Sequence, residues 1–245
     1  MQPDFYKNYF YFERNHWWSR VRNNLIFDLI KNYNGDINSE IFDYGCGSGY
    51  LVKQLQIKGF NSHGGDISAE AINAGRNDGI ANLAVLNDYG INHPDNKFNF
   101  VLAMDVLEHL EDEGVAIREI ERALKPGGVA IITVPAYKFL WGIQDDVSHH
   151  FRRYSMHAIV KAVKDNSGLA VVRKTYFNAF LFPAIAVVRL ISRFFNIKNR
   201  QSDFDMNSRV VNNICYGIFD SERKLLEYLN FPFGVSILLV VKKNN

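Results

Sequence analysis

Apolar positions along the first half of the chain switch between two periods. Trp18, Val21, Leu25 and Leu29 recur at helical spacing, so a helix is expected over residues 14–31, ended by the turn residues Asn34, Gly35 and Asp36. Ile41-Phe42-Asp43-Tyr44 reads as a short strand running into a glycine-rich turn, and Tyr50, Leu51 and Leu55 mark a helix behind it. Gly59–Gly65 form a second strand ending at Asp66, Ala69–Arg76 a second helix and Leu83–Leu86 a third strand. Phe98–Met104 (FNFVLAM) is an apolar run of strand length, polar only at Asn99, the pattern of a parallel strand covered on both faces. Residues 111–124 return to helical spacing with Ile117, Ile120 and Leu124 on one face. Acids fill their first turn, and Arg122 and Lys125 lie near their end, as the helix dipole favours. Pro126-Gly127-Gly128 stop this helix, and Val129–Val134 make the next strand. This alternation predicts an α/β fold with a doubly wound, mostly parallel sheet, in which ligands bind beyond the carboxyl ends of the strands where strand order reverses.

After Pro135 the pattern loosens. Residues 136–154 read as an ordered loop rich in polar and aromatic groups. Ser155 can cap a helix running to about Lys164, and Leu169–Tyr176 read as a strand. Residues 177–196 are strongly apolar, broken by Pro183, Arg189 and Arg193. Their uninterrupted run is shorter than the roughly 20 residues that cross a bilayer, which leaves a core helix, a lid or a helix lying on a membrane. Residues 197–214 read as a polar connection and Ser236–Val241 as a last strand. The expected organisation is an N-terminal helical cover over residues 1–37, a cofactor-binding core over 38–135, and an acceptor side over 136–245 that carries the loop, the apolar helical insertion and the last strands of the same sheet.

Charge sharpens this division. The formal net charge of the 245 residues is only +2, which speaks against a general nucleic-acid binder. Residues 1–150 hold 13 Lys+Arg against 20 Asp+Glu, whereas residues 151–245 hold 15 against 6, so the two halves present surfaces of opposite sign. Two cysteines, Cys46 and Cys215, are too few for a disulfide framework, and Met1–Phe12 has no signal-peptide core. Cytoplasmic residence is the expectation, at the inner membrane surface if 177–196 meets lipid.

The informative chemistry lies in Asp43-Tyr44-Gly45-Cys46-Gly47-Ser48-Gly49, between a strand and a helix. Glycines there allow a tight turn and a close approach to a ligand. A dinucleotide fingerprint would place a third glycine where Tyr50 stands. Asp43 decides further, because a carboxylate repels a pyrophosphate and attracts an ammonium or sulfonium. Asp66, at the end of the next strand, is placed to accept hydrogen bonds from ribose hydroxyls, and Asp88, after the third, to accept one from an adenine amino group. An ammonium, a ribose diol and an adenine together describe S-adenosylmethionine.

Residues 38–134 resemble the cofactor domain of class I S-adenosylmethionine-dependent methyltransferases through IFDYGCGSG, GGDIS, LND, FNFVLAMDVLEHL and EIERALKPGGVAIITVP. The resemblance implies a seven-stranded Rossmann-like sheet, S-adenosylmethionine as donor and S-adenosylhomocysteine as product. It implies that Asp43, Gly45 and Gly47 hold the methionine end, with Cys46 and Gly49 in the same turn. Asp66 and Ile67 would hold ribose and adenine, Asp88 and Tyr89 would flank the adenine, and Met104 and Asp105 would line the methyl-donor side. The pattern L-W-x3-D-x4-H-x-R-R-Y over residues 140–154 is similar to a bacterial branch of the superfamily, and His16, Trp17 and Trp18 resemble the aromatic cover that relatives place over the cofactor, although the spacing of Trp18 fits the core.

On the acceptor side, His109 is the expected general base and Glu108 its orienting partner. Asp105, Glu108 and His109, with Asp105 in place of a glutamate, also resemble an acid-x-x-Glu-His segment with which some class I families, quinone-pathway O-methyltransferases and small-RNA 2′-O-methyltransferases among them, bind a divalent ion, with His149 or His150 as a further ligand. Trp141, His150 and Arg153 are the expected contacts to the acceptor, taken to be a small, lipid-like or glycan-type metabolite methylated on oxygen, with internal ion pairs to the acidic half as the alternative use of Arg152 and Arg153. An NAD-dependent oxidoreductase is disfavoured by Asp43 and Tyr50, and a non-catalytic cofactor-binding subunit by the polar clusters on both acceptor-side loops.

Overall fold

A computed structural model describes residues 11–87, 89–195 and 208–245. Asp88 and residues 196–207, which include most of the expected polar connection, lie outside the described residues. In chain order the elements are α1 (Trp17–Asn32), β1 (Glu40–Tyr44), α2 (Tyr50–Ile57), β2 (Asn61–Asp66), α3 (Ala69–Asn77), β3 (Leu83–Val85), β4 (Phe98–Met104), α4 (Glu113–Ala123), β5 (Leu124–Pro135), α5 (Ile143–Val147), α6 (Met156–Asn166), β6 (Ala170–Phe177), α7 (Phe182–Phe194), α8 (Arg209–Leu226) and β7 (Ser236–Lys242).

The seven strands form one sheet in the order β3-β2-β1-β4-β5-β7-β6. Neighbours from β3 to β5 run parallel, and β7 is antiparallel to both β5 and β6. Strand order reverses between β1 and β4, so the carboxyl ends of these two strands frame the crevice where a ligand binds in an open α/β sheet. Successive strand residues point to opposite faces, so a parallel strand covered by helices on both sides, as β4 is, carries apolar residues on both. Along β4, Val101 and Ala103 join one core cluster with α4 and α6, while Phe100, Leu102 and Met104 join a second with α1 and α8.

The expected fold is therefore present, with differences at three places. Pro126-Gly127-Gly128 do not separate helix from strand. The helix ends at Ala123, and β5 starts at Leu124, with an irregularity in its pairing to Phe98 and Phe100. The apolar stretch 177–196 contains a single helix, α7, of 13 residues. Past residue 208 the expected polar connection is in fact the start of α8, which packs on α1. Polar residues occupy its buried side. Asn212 Oδ1 accepts from the Trp17 backbone N–H at 2.9 Å, and Glu222 Oε2 accepts from the N–H groups of Ala179 and Phe180 at 2.7 and 2.8 Å. These bonds satisfy the first turn of α1 and the link from β6 to α7.

Candidate active site

The turn after β1 is set by backbone conformation. Gly45, Gly47 and Gly49 have φ of +75°, +56° and +77°. A side chain at Gly45 would be strained, and its Cβ would come within 2.6 Å of Val106 Cγ2. The N–H groups of Gly45 and Cys46 donate to the Gly65 carbonyl at 2.8 and 3.1 Å, and the Gly47 N–H donates to Asp66 Oδ2 at 2.9 Å. Asp66 Oδ1 accepts from the Ser68 N–H at 2.8 Å, so its carboxylate joins the glycine turn to the end of β2. Each oxygen keeps a lone pair for a ribose hydroxyl.

Asp43 is buried in β1 at the reversal point. Burial pushes its carboxyl up to about 7, with the Arg22 charge pulling the other way and Glu13 and Asp66 adding to the rise. A cation brought against this carboxylate would be strongly favoured. Cys46 is buried, and desolvation and the surrounding acids raise its thiol well above the ordinary range, so it is a small packing residue in the turn and not a nucleophile.

On the far side of β2, a cavity of about 590 Å³ opens between Ile67, Leu86, Asn87 and Tyr89. Ile67 is 58% exposed, an apolar face that a flat ring would cover. Tyr89, with φ of +63°, is anchored through its carbonyl, which accepts from the Tyr44 hydroxyl at 2.6 Å. The expected adenine residues Ile67 and Tyr89 thus line one cavity.

At the end of β4, Met104 is buried and Asp105 takes φ of +56°, a conformation that Asp tolerates better than most residues. Its Oδ1 accepts from the Thr133 hydroxyl at 3.1 Å and its Oδ2 from Arg22 at 2.8 Å. Arg22 was not foreseen. It reaches from α1 to Asp105 at the end of β4 and its charge also acts on Asp43 in β1, and no pattern around it in the sequence marks it. Glu13 is a second unforeseen residue, whose Oε2 accepts from the buried Ser48 hydroxyl at 2.6 Å. The N-terminal segment therefore meets the glycine turn through Glu13, and the expected aromatic cover is not what His16, Trp17 and Trp18 form. Trp17 is buried in the core, Trp18 stacks on Phe177 and Phe219 at 5.5 and 5.4 Å, and His16 caps α1.

On the acceptor side the structure gathers Glu108, His109 and His150, whose possible ligand atoms all lie within 4.8 Å of one another. Glu108 is fully buried, and neither of its carboxylate oxygens has a hydrogen-bond partner. It does not orient His109 through a hydrogen bond, contrary to expectation. Burial first, and then the Asp105 charge, raise the Glu108 carboxyl well above its ordinary value. His109 has an exposed edge yet stands deep among protein groups. Desolvation, followed by the neighbouring His150, lowers it to about 4, so its ring is neutral at pH 7. The two imidazoles meet edge to face at 4.5 Å. Asp105 and His149 are not part of this group.

Asp145 holds His150 in place. Its Oδ1 takes His150 Nδ1 at 2.9 Å and Arg153 Nε at 2.7 Å, and its Oδ2 accepts from the Gly142 N–H at 2.7 Å. Burial pushes this carboxyl up, but the bonds from His150 and Arg153 prevail and bring it down to about 2. With Nδ1 donating to a carboxylate, His150 turns its Nε2 lone pair outward. Arg153 is only 7% exposed and also donates to the Ala136 carbonyl at 2.9 Å, so it braces the loop and does not face an acceptor as expected. Arg152 is used in the same way, on Glu113 and on the carbonyls of Leu110 and Glu111. Trp141 is half-buried, with its indole N–H on Asp146 Oδ1 at 2.8 Å.

This strand order, with a buried acid in β1, a glycine turn after it and a cavity lined by Ile67, Leu86, Asn87 and Tyr89, is that of the class I S-adenosylmethionine-dependent methyltransferase architecture. Residues 17–174, well over half of the chain, match the family described as Methyltransferase domain. The chain belongs to this family. Ubiquinone biosynthesis O-methyltransferase of Rickettsia bellii is 27% identical over 139 residues, which cover 48% of this chain and 56% of that protein. The chain spans about half the length of the curated relatives it matches. Of solved structures, the [4+2]-cyclase SpnF aligns with a TM-score of 0.61 at 17% identity, over 93% of this chain and 82% of that one. Phosphoethanolamine N-methyltransferase 2 of Haemonchus contortus aligns with a TM-score of 0.60 at 17% identity, over 91% of this chain and 53% of that one. At such identity the likeness is one of fold, and the names of these proteins already span different reactions.

Proposed function

We propose that the protein transfers a methyl group from S-adenosylmethionine to an oxygen of a small amphiphilic metabolite, lipid-like or glycan-type. The observation that carries this reading is the cluster of Glu108, His109 and His150 on the rim where β4 ends, beside the residues expected at the methyl-donor side. Methyl transfer is an in-line displacement, so the acceptor oxygen must be aligned with the methyl and relieved of its proton. His109, held neutral, carries a lone pair for that proton, and His150, fixed by Asp145, offers a second. Tyr137, Phe139 and Phe182 form a ring cluster where β5 ends, an apolar wall for the rest of the acceptor. The relatives named as ubiquinone biosynthesis O-methyltransferases support an oxygen acceptor on an apolar molecule.

The same three residues fit a divalent cation. Two buried carboxylate oxygens without partners beside two imidazoles form a mixed oxygen and nitrogen donor set suited to Mg²⁺ or Mn²⁺. Glu108, His109 and His150 would hold the ion, which when bound supplies Lewis-acid polarisation of the acceptor oxygen.

The test is transfer of labelled methyl into cell extract split into lipid, aqueous and RNA fractions. Label in the lipid or aqueous fraction, abolished by Glu108→Gln and His109→Ala, is the expected result. Label in RNA alone, or undiminished transfer by both variants, contradicts the reading. Exhaustive chelation separates the cation from the histidines: loss of transfer restored by Mn²⁺ supports the ion, and full activity without it removes the ion and leaves the bases.

A further inference from the structure

We infer that α7 is a membrane-docking helix that lies in the interface of an anionic bilayer. The inference deepens the amphiphilic-acceptor reading above and rests on it for its purpose. The helix exposes an apolar face. Val187, Val188, Leu190, Ile191, Phe194 and Phe195 are all exposed, Val187 at 55% and Phe194 at 83%, and every exposed side chain described between Phe182 and Phe195 is apolar. Arg189 and Ser192, its described polar side chains, are half-buried toward the protein. A surface helix of a globular domain has the reverse arrangement. With 13 residues it is about 20 Å long, and no described helix is long and apolar enough to cross a membrane. A helix of this length with one apolar face lies along a bilayer surface.

Charge selects the occupant. Residues 151–245, the half of the chain that contains α7, hold 15 Lys+Arg against 6 Asp+Glu. Anionic lipid headgroups complement that excess. A second copy would bring two such surfaces against each other, which like charge opposes. The helix also adjoins the acceptor side. The Arg189 guanidinium lies against Gly142, where an added Cβ would come within 1.5 Å of it, on the loop that carries Asp145 and His150. Phe182, in the first turn of α7, meets Tyr137 at 5.8 Å. An apolar acceptor held in the bilayer would thus meet the protein beside the ring cluster and the histidines.

The test is co-sedimentation of the full chain with vesicles of phosphatidylcholine alone and with an equal share of phosphatidylglycerol. The expected result is binding to the anionic vesicles at low salt, weakened at least about tenfold in pure phosphatidylcholine or at about 1 M salt, where the Debye length falls to about 3 Å. V187E/I191E, which alters only exposed positions of α7, should lose at least about tenfold in vesicle affinity while binding S-adenosylhomocysteine as the parent does. Equal partition of variant and parent, or no sedimentation with any vesicle, overturns the proposal. So does a parent dimer that V187E/I191E dissociates in the absence of vesicle binding, because the face then belongs to a second copy. Vesicle binding requires no acceptor, so its failure leaves methyl transfer standing. Binding without methylation of any amphiphile removes the acceptor reading and leaves the surface.

Discussion

The two rims of the crevice are made in different ways. The cofactor rim, from Asp43 to Tyr89, consists of short turns at strand ends. Its shape follows from positive φ at Gly45, Gly47 and Gly49 and from backbone bonds to Gly65 and Asp66. The acceptor rim, from Asp105 to Arg153 with α7 above it, is held by side chains. A fully buried Asp145 ties His150 and Arg153, Arg152 reaches back to Glu113, and Arg22 crosses from α1 to Asp105. A rim of backbone turns keeps its geometry when a side chain is changed. A rim that hangs on a buried ion pair such as Asp145–Arg153 does not, because removing one partner leaves the other charge without compensation.

That difference is open to perturbation, beginning with its strongest consequence. Asp145→Ala strands the buried Arg153 guanidinium and frees the His150 ring. The expected loss in unfolding free energy is about 3–5 kcal/mol in chemical denaturation, with methyl transfer lost as well. Asp43→Asn attacks the other rim and should weaken binding without any loss of stability. The affinity for S-adenosylmethionine falls by about 2 kcal/mol, roughly thirtyfold by calorimetry. The melting temperature of the free protein at pH 8 rises, because the folded carboxyl is held near 7, above its unfolded value, and its ionised form costs stability there.

The same carboxyl sets a pH dependence. In the free protein it takes up a proton as pH falls through about 7, and a cationic ligand must displace that proton. Cofactor affinity is therefore flat above about pH 7 and weakens by up to about tenfold per unit below it, and this slope is absent in Asp43→Asn. The smallest effect belongs to Arg22→Gln. The Arg22–Asp105 pair is partly solvated, with side chains 18% and 24% exposed, so its loss costs about 1 kcal/mol or less. Because Arg22 also lowers Asp43, the midpoint of the pH profile moves upward in this variant.

The cofactor rim was legible in the sequence because its determinants are local. Alternating glycines with an acid two residues earlier, and an acid closing the next strand, each carry their geometry within a few residues. The acceptor rim was legible in its residue types but not in their use. His150 and Asp145 fall five positions apart as expected, yet whether Arg153 faces solvent or an internal acid depends on a chain reversal that no local pattern encodes. Helix α8 escaped for a related reason. Its buried face includes Asn212 and Glu222, polar residues that interrupt the apolar period and owe their burial to backbone donors of distant segments. Glu13 and Arg22 bond to groups 35 and 83 positions away.

The most direct test is calorimetric titration of the free protein and of Asp43→Asn with S-adenosylhomocysteine and, separately, with NAD. A crevice built around a buried acid and three left-handed glycines predicts binding of S-adenosylhomocysteine that collapses in the variant, and no heat from NAD. Undiminished binding by Asp43→Asn, or a preference for the dinucleotide, would contradict it.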